Sequence, residues 1–297
     1  MSEKIRITAH AKANLFLRIL SRESTGYHNL ETAFCLLELA DQITVSRTQG
    51  TGVTLSVQGA DTGPEKENLA YRAASTVLES IRNPFAVHIE LEKHIPIQSG
   101  LGGASSDAAA TLHAVNKLAG EPVPRHELLQ LAPRLGADVA FFASGCPLAV
   151  GWGRGERLFR IPPPKASPVL IAVPSFGVST VAAYQLVDSA HDDLRRGAMV
   201  LDEDAFRTWG GIGRLGGNDF ETPVFGKHPE LRELFERVAE TRPLLVRMTG
   251  SGSGVFAVYK SEEERDAASA NIGSQGKALI KTSTRNSPAP GPEPVFG

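Results

Sequence analysis

A glycine-rich stretch, PIQSGLGGASS, spans residues 96–106 and leads into a predicted helix. Its glycines permit positive φ and let the backbone approach a ligand without a Cβ in the way. Ser105, Ser106 and Asp107 stand where helix caps stand, and the first turn of a helix favours phosphate through its free N–H groups and its dipole. The stretch is neither a P-loop, since no Lys follows the last glycine, nor a G-x-G-x-x-G motif. Taken alone, it is also explained by a tight chain reversal.

A second glycine run, MTGSGSGVF, covers residues 248–256 and lies between two predicted strands. A plain hairpin needs only one or two glycines, and this run has three glycines and two serines. Two such loops in one chain favour a shared anionic ligand, with a flexible hairpin as the alternative.

Polar side chains alternate with apolar ones along a predicted strand at residues 5–19. Because successive side chains of a strand point to opposite faces, His10, Lys12 and Asn14 are predicted to share one face. We expect this face to form the polar wall of a cleft. The alternative is that Lys12 is an ordinary solvated lysine.

Two further segments carry groups that could do chemistry. Asp138 follows a glycine turn in LGADVAFFASG, where the simplest explanation is a helix N-cap. Tyr27 and His28 follow Gly26 in TGYHNLET. Such a pair is usually an ordinary exposed feature of a loop, but in a nucleotide site it could stack on a base and hydrogen-bond to it.

These segments must be held by the elements around them. Asn68 is predicted to cap a helix over NLAYRAASTVLESI, and the proline-rich RIPPPKASP predicts a boundary near residue 162. Beyond it, apart from extra helices, the order is β-α-β-β-α-β, with a capping box from Ser261 to Glu264. This order predicts a ferredoxin-like second layer over residues 163–286, followed by a proline-rich tail, 287–297, that we expect to be disordered.

Composition narrows the function class. The 297 residues are 41% hydrophobic and 22% charged, as in a soluble globular protein, and 31 Lys and Arg oppose 33 Asp and Glu for a net charge of −2. This balance argues against nucleic acid as a partner. The N-terminus lacks an apolar signal core and no apolar run suits a membrane span, so we expect a cytoplasmic protein without a membrane partner. Two cysteines are too few for a disulfide framework.

The motifs, in their order along the chain, resemble those of the 4-diphosphocytidyl-2-C-methyl-D-erythritol kinase family, within the GHMP kinases. The serine-rich glycine loop is typical of the superfamily, and GYHNLET together with GADVAFF points to this family. The resemblance extends from residue 9 to residue 256 and rests on six segments: AHAKANLFL, GYHNLET, PIQSGLGGASSDAA, GADVAFF, NDFE and MTGSGSGVF.

The resemblance implies an α/β (α+β two-layer) GHMP kinase fold, with an N-terminal ribosomal-protein-S5-domain-2-like ATP-binding domain at residues 1–162 and a ferredoxin-like C-terminal domain. It implies a cytoplasmic enzyme of the non-mevalonate isoprenoid route. The enzyme would use ATP and Mg²⁺ to phosphorylate the 2-hydroxyl of 4-diphosphocytidyl-2-C-methyl-D-erythritol, as a monomer or weak homodimer.

The same resemblance implies roles for individual residues. Lys12 and Asp138 would form the catalytic pair. Tyr27, His28 and Tyr184 would hold the cytidine base, and Asn14 and Thr180 would position the methylerythritol part. No protein ligand to Mg²⁺ is assigned, since the Ser106 hydroxyl could be a ligand or a cap. The phosphates of ATP would be wrapped by Pro96, Ile97, Gln98, Ser99, Gly100, Leu101, Gly102, Gly103, Ala104, Ser105 and Ser106.

Three positions depart from the family pattern: His10 and Ala140 replace prolines, and Ala104 replaces the third glycine of GLGGGSS. A Cβ at Ala104 either tolerates negative φ or crowds the phosphates. Two alternatives stay open: another GHMP kinase, of homoserine or mevalonate type, and a non-catalytic nucleotide-binding sensor. Retention of Lys12 and Asp138 argues against the sensor.

Overall fold

The computed structural model describes residues 4–82, 84–189, 200–273 and 277–295. None of the helices in these ranges is long and apolar enough to cross a membrane. Strands and helices alternate in two groups, each organised around its own sheet.

The first sheet takes its strands mostly from the N-terminal half. Its strands are β1 (Lys4–Arg22), β2 (His28–Thr48), β3 (Gly52–Gln58), β4 (Ala86–Glu92), β5 (Leu148–Gly153), β6 (Arg157–Arg160) and β11 (Glu293–Pro294). The strand order is β11-β1-β2-β4-β3, with β5 paired to β2 and β6 to β5. Strands β3 and β4 are parallel and the other pairs are antiparallel.

Four helices pack with this sheet into one apolar core, which we call the first core. Leu112 and Phe141 are fully buried in it, against strand residues such as Ile43. Asn68 caps the first helix by accepting a hydrogen bond from the Ala70 N–H, as predicted. The helices are α1 (Leu69–Ser80), α2 (Gly103–Leu118), α3 (Arg125–Leu135) and α4 (Ala137–Ser144).

The second group of elements comprises β7 (Pro168–Pro174), α5 (Thr180–Ser189), α6 (Trp209–Gly213), α7 (Glu221–Lys227), α8 (Pro229–Glu240), β8 (Leu245–Met248), β9 (Val255–Val258), α9 (Glu262–Ile272) and β10 (Lys277–Ser283). Its strands form an antiparallel sheet with the order β10-β7-β9-β8. If these strands are numbered 1 to 4 along the chain, the order across the sheet is 4-1-3-2, as in a β-α-β-β-α-β unit, so the ferredoxin-like prediction is confirmed. Ser261 accepts from the Glu264 N–H at the start of α9, as the capping box predicts.

Strand β1 does not alternate as regularly as its sequence predicts. Its register against β2 shifts between His10 and Lys12, and again between Asn14 and Phe16. A bulge places an extra residue on one strand and changes which face follows. As a result His10 turns to the Leu37 carbonyl oxygen, 3.0 Å from Nδ1, while Lys12 and Asn14 bond to each other. The predicted polar face is therefore wrong at His10.

A core between the two sheets, the shared core, joins the halves of the chain. Leu15 and Leu37 from the first sheet and Ile171 and Phe256 from the second are buried in the same cluster. The connection between Arg160 and Pro168 contains the boundary proposed near residue 162.

The tail has a defined path as far as residue 295, in contrast to the disorder expected for 287–297. Strand β11 pairs with the outer edge of β1, and the Ala289 N–H donates to the Gly145 carbonyl oxygen at 3.1 Å. Pro294 can lie in β11 because β11 is at the edge of the sheet, where a missing N–H is tolerated. Composition alone does not reveal that β1 offers a free edge.

Candidate active site

The two glycine-rich segments meet. We call residues 96–106 the first glycine loop and residues 248–256 the second. The Gly254 N–H donates to the Ser99 carbonyl oxygen at 3.0 Å, and the Thr249 hydroxyl donates to the Gly100 carbonyl oxygen at 3.1 Å. A Cβ on Gly100 would lie 1.9 Å from the Thr249 oxygen. A Cβ on Gly254 of the second loop would lie 2.5 Å from the Ser99 oxygen, so close backbone contact between the loops accounts for glycine at both positions.

The first glycine loop leads into α2, and its residue at the N-cap position provides no side-chain cap. Gly102 is the N-cap, with φ 75°, and within the described part of the chain no side-chain cap bonds to the first turn. Ser105, Ser106 and Asp107 lie inside the helix, so the expectation that they stand at cap positions is wrong. Uncapped N–H groups at a helix start form a natural anion site.

Ala104 occupies the first turn of α2, where its side chain is exposed. Helical φ is negative, so its Cβ costs no backbone strain there. Ser106 donates its hydroxyl proton to the His10 carbonyl oxygen at 2.7 Å, and this bond ties α2 to β1.

Lys12 and Asp138 face each other, with 3.5 Å between Nζ and Oδ2. Lys12 is buried, whereas the side chain of Asp138 keeps 32% of its exposure. Burial lowers the pKa of Lys12, and the Asp138 carboxylate opposes this shift. Asp138 is the second residue of α4, whose N-cap is Gly136, so the N-cap explanation of Asp138 is wrong.

Asn14 connects this pair to the second glycine loop. Its Oδ1 accepts from Lys12 Nζ at 2.5 Å and from the Gly250 N–H at 2.9 Å, and its Nδ2 donates to the Thr32 hydroxyl at 2.8 Å. Thr180, the first residue of α5, lies with its hydroxyl 3.1 Å from that of Ser251 in the same loop.

The residues expected at a base form a second group. The rings of His28 and Tyr184 stack with centroids 4.4 Å apart, and Nε2 of His28 lies 2.7 Å from Asp188 Oδ1. Tyr27 is 58% exposed, and the Arg154 guanidinium lies 3.8 Å from the centre of its ring. Burial, reinforced by the Asp138 charge, raises the pKa of Tyr184 to about 12, so its hydroxyl stays protonated at neutral pH.

A buried ion cluster lies beneath the first glycine loop. Lys93 pairs with Asp41 and, at 2.7 Å, with Asp107 Oδ2. Asp41 also accepts from the Ile95 N–H at 2.8 Å, which fixes the chain where it enters the loop. Oδ1 of Asp107 is buried without a hydrogen-bond partner among the described residues. Burial raises the pKa of Asp107 to about 8, although Lys93 lowers it.

Sequence reasoning missed Thr249, Asp188 and Arg154. Asp188 follows Tyr184 by four residues, and this helical spacing was a usable signal. The Thr249 contacts reach Asn14 and Gly100 across more than a hundred residues, so no local pattern indicates them. Arg154 lies in the turn between β5 and β6, where one arginine carries no distinguishing signal.

The donor groups around the site decide which kind of metal ion would fit there. Within the described ranges, no group of three or more His, Cys, Asp or Glu side chains could hold a metal ion. The hydroxyl of Ser106, the one side chain considered as a ligand, is hydrogen-bonded to His10. A hard cation such as Mg²⁺ that keeps water and phosphate ligands needs no side-chain cage and fits this arrangement.

Comparison with known proteins identifies the family of the chain. The family model for the GHMP kinases N terminal domain matches residues 68–146, and that for the GHMP kinases C terminal matches residues 201–278. A 4-diphosphocytidyl-2-C-methyl-D-erythritol kinase of Paraburkholderia phytofirmans is 35% identical over 284 residues, which cover 94% of this chain and 94% of that protein.

Solved structures give the same result. A crystal structure of 4-(cytidine 5'-diphospho)-2C-methyl-D-erythritol kinase has a TM-score of 0.79 and 34% identity, covering 94% of this chain and 98% of its own. A homoserine kinase from Cytophaga hutchinsonii has a TM-score of 0.71 at 18% identity, covering 99% and 98%, and shows the shared fold alone. The predicted GHMP kinase fold is thereby confirmed, and the chain belongs to the 4-diphosphocytidyl-2-C-methyl-D-erythritol kinase family of the GHMP kinases.

Proposed function

We propose that the protein transfers the γ-phosphoryl group of ATP to the 2-hydroxyl of 4-diphosphocytidyl-2-C-methyl-D-erythritol, a step of the non-mevalonate isoprenoid route. The observation that carries this is the Lys12–Asp138 pair, 3.5 Å apart and linked through Asn14 to the second glycine loop. Relatives 35% identical over nine-tenths of the chain bear this activity in their names.

The phosphates of ATP would lie against the first glycine loop, Pro96 to Ser106. The support is an uncapped α2 start and a loop backbone with positive φ at Gly100 and Gly102. Phosphoryl transfer asks a protein mainly for positioning and charge stabilisation, and backbone N–H groups supply both. Mg²⁺ would arrive bound to the phosphates and neutralise part of their charge.

Asp138 would receive the hydroxyl proton of the substrate, and the Lys12 ammonium would lie between that carboxylate and the moving phosphoryl group. Lys12 is held for this role by Asn14 and by burial. The Lys12 cation at 3.5 Å orients the carboxylate.

The cytidine base would bind between the His28–Tyr184 stack and the exposed ring of Tyr27. Aromatic faces suit a nucleobase, and the Arg154 guanidinium packs over the Tyr27 ring. Asn14 and Thr180 would position the methylerythritol part. We further propose a cytoplasmic monomer or weak homodimer without nucleic-acid or membrane partners, in keeping with the net charge of −2.

The test is ADP release with Mg-ATP and 4-diphosphocytidyl-2-C-methyl-D-erythritol, run beside the same sugar alcohol without its cytidyl group. Turnover is expected only with the cytidyl compound. Asp138→Asn is expected to lower kcat by about 10²- to 10⁴-fold, the usual effect of removing a general base. Asp61→Asn, in an exposed loop, is the control. ATP binding without turnover on either compound would overturn the proposal.

A homoserine kinase and a mevalonate kinase share this fold at 18% and 13% sequence identity. Similarity at this level shows the fold and does not indicate a shared substrate. Turnover with homoserine or mevalonate, and none with the cytidyl compound, would favour them. Retention of both Lys12 and Asp138 in direct contact disfavours a non-catalytic sensor.

A further inference from the structure

A cavity of about 620 Å³ lies between β1, α2, α4, β5 and the C-terminal tail. This volume falls in the range of small-molecule sites. Of the residues assigned above to ATP and substrate, only Ser106 lines it, and the Ser106 hydroxyl is turned to His10. The cavity is therefore separate from the proposed active site, although it touches the same elements.

Most of the cavity wall is apolar. Ile7, Leu36, Phe142, Leu148 and Ile161 contribute side chains from several elements. The tail closes one side with Pro288 to Pro292, held by the bond from the Ala289 N–H to the Gly145 oxygen. An apolar cavity of this kind suits an aliphatic group, because the transfer of apolar surface from water into apolar surroundings is favourable.

Two arginines at the rim give the cavity a polar end. Arg125 and Arg160 each donate to the carbonyl oxygen of Ser144, at 2.7 Å and 3.0 Å. The two guanidinium groups thus meet at one oxygen atom, and neither has an ion pair within the described ranges. The cavity lining in these ranges includes no Asp or Glu. Two convergent guanidiniums match the charge and the geometry of a phosphate dianion.

We propose that this cavity binds a small amphipathic phosphate monoester, with the phosphate on Arg125 and Arg160 and an aliphatic chain in the apolar chamber. The site is an effector site, because two elements that contribute to its walls, β1 and α4, also carry Lys12 and Asp138. His10 precedes Lys12 by two residues on β1, and Phe142 follows Asp138 by one turn of α4. A ligand that favours one arrangement of these walls changes turnover through the Lys12–Asp138 geometry.

The test is calorimetric titration of the full chain with hexyl phosphate, hexanol and inorganic phosphate, each with the nucleotide site saturated by a non-hydrolysable ATP analogue. Hexyl phosphate is expected to bind at least about tenfold more tightly than either half alone, since tenfold is about the contribution of one good charged contact. The double variant Arg125→Gln/Arg160→Gln should lose this advantage. Arg134→Gln, an exposed arginine of α3 outside the cavity, is the matched control.

A second variant distinguishes a lost binding site from misfolding caused by the arginine substitutions. Ala110→Leu fills the chamber and leaves both arginines in place, so it should block hexyl phosphate without removing charge. Melting temperatures check that each variant is folded. No binding by the wild type, displacement by the ATP analogue, or equal affinity in the double variant would each overturn the site.

The effector role has its own readout. Saturating hexyl phosphate should change kcat at least about fivefold in the wild type, the lower end of the usual range of allosteric coupling, and leave the double variant unaffected. Unchanged turnover in the wild type would overturn the coupling. Because the titration does not use the kinase reaction, its result is independent of the proposed function.

Discussion

At the scale of single residues, the proposed chemistry depends on a lysine that is buried, where its charged form is disfavoured. Lys12 is buried, and its cation is compensated by Asp138 at 3.5 Å and by the Asn14 oxygen at 2.5 Å. Burial disfavours the charged form, so its pKa lies below the ordinary 10.5 despite these partners. A buried cation of this kind is expected to lose its proton at lower pH than an exposed lysine does.

This predicts an alkaline limit to activity. Rising pH removes the proton of Lys12, so kcat/KM should fall with a midpoint below 10.5. Lys12→Arg should move the limit upward, at lower overall activity, because a guanidinium stays charged but does not fit the same space. The measurement is kcat/KM between pH 7 and 10.5. A wild-type profile that stays flat across this range would contradict it.

Sequence patterns located these residues but not their arrangement. The family resemblance predicts Lys12 and Asp138 as a pair. The surplus of glycines in the second loop predicts a shared anionic ligand, and the contact between the loops is visible only in the structure. The bulge that separates His10 from Lys12 depends on pairing with β2, and Asn14 reaches Gly250 across more than two hundred residues. Such features arise from tertiary contacts, which no local period encodes.

At the scale of elements, the site depends on the contact between the two glycine loops. Gly100→Ala would place a Cβ 1.9 Å from the Thr249 oxygen, whereas a Cβ on Gly50, also at positive φ, has nothing within 4 Å. Gly50→Ala should therefore cost only backbone strain, about 1 kcal/mol. Gly100→Ala should cost more and also raise the KM for ATP. Melting temperature and ATP kinetics of both variants are the measurement; equal behaviour would contradict the role of the loop contact.

The junction of β4 and α2 is predicted to make stability depend on pH. Burial raises the folded-state pKa of Asp107 from 3.8 to about 8, so the folded state holds the proton more tightly than the unfolded state. That stability is complete below the unfolded pKa and is lost as pH rises through the folded one. Asp107→Asn removes the titration.

The stability of Asp107→Asn relative to wild type should therefore increase from pH 5 to pH 8, by about 1 kcal/mol per pH unit. Free energies of unfolding from denaturant titrations at several pH values measure this. Asp61→Asn, in an exposed loop, should run parallel to wild type. Parallel curves for Asp107→Asn as well would show that the cluster does not hold the extra proton.

At the scale of the whole molecule, the proposed domains share a core. Leu15 of β1 and Phe256 of β9 are both fully buried in the shared core. Each sheet also has a core of its own, with Leu112 in the first core and Leu231 in the cluster under the second sheet. Neither half therefore buries its apolar surface completely without the other, and the site between the glycine loops exists only when both are folded.

We expect the chain to unfold in one cooperative transition, despite its two sheets. Leu112→Ala and Leu231→Ala each leave a cavity that costs about 2–5 kcal/mol, in different cores. In a cooperative molecule both variants shift the same transition, and the calorimetric enthalpy equals the van't Hoff enthalpy. If the halves were independent, two transitions would appear and each variant would move only one. Calorimetry of both variants decides between these outcomes, because only a shared core makes a defect in one half destabilise the other.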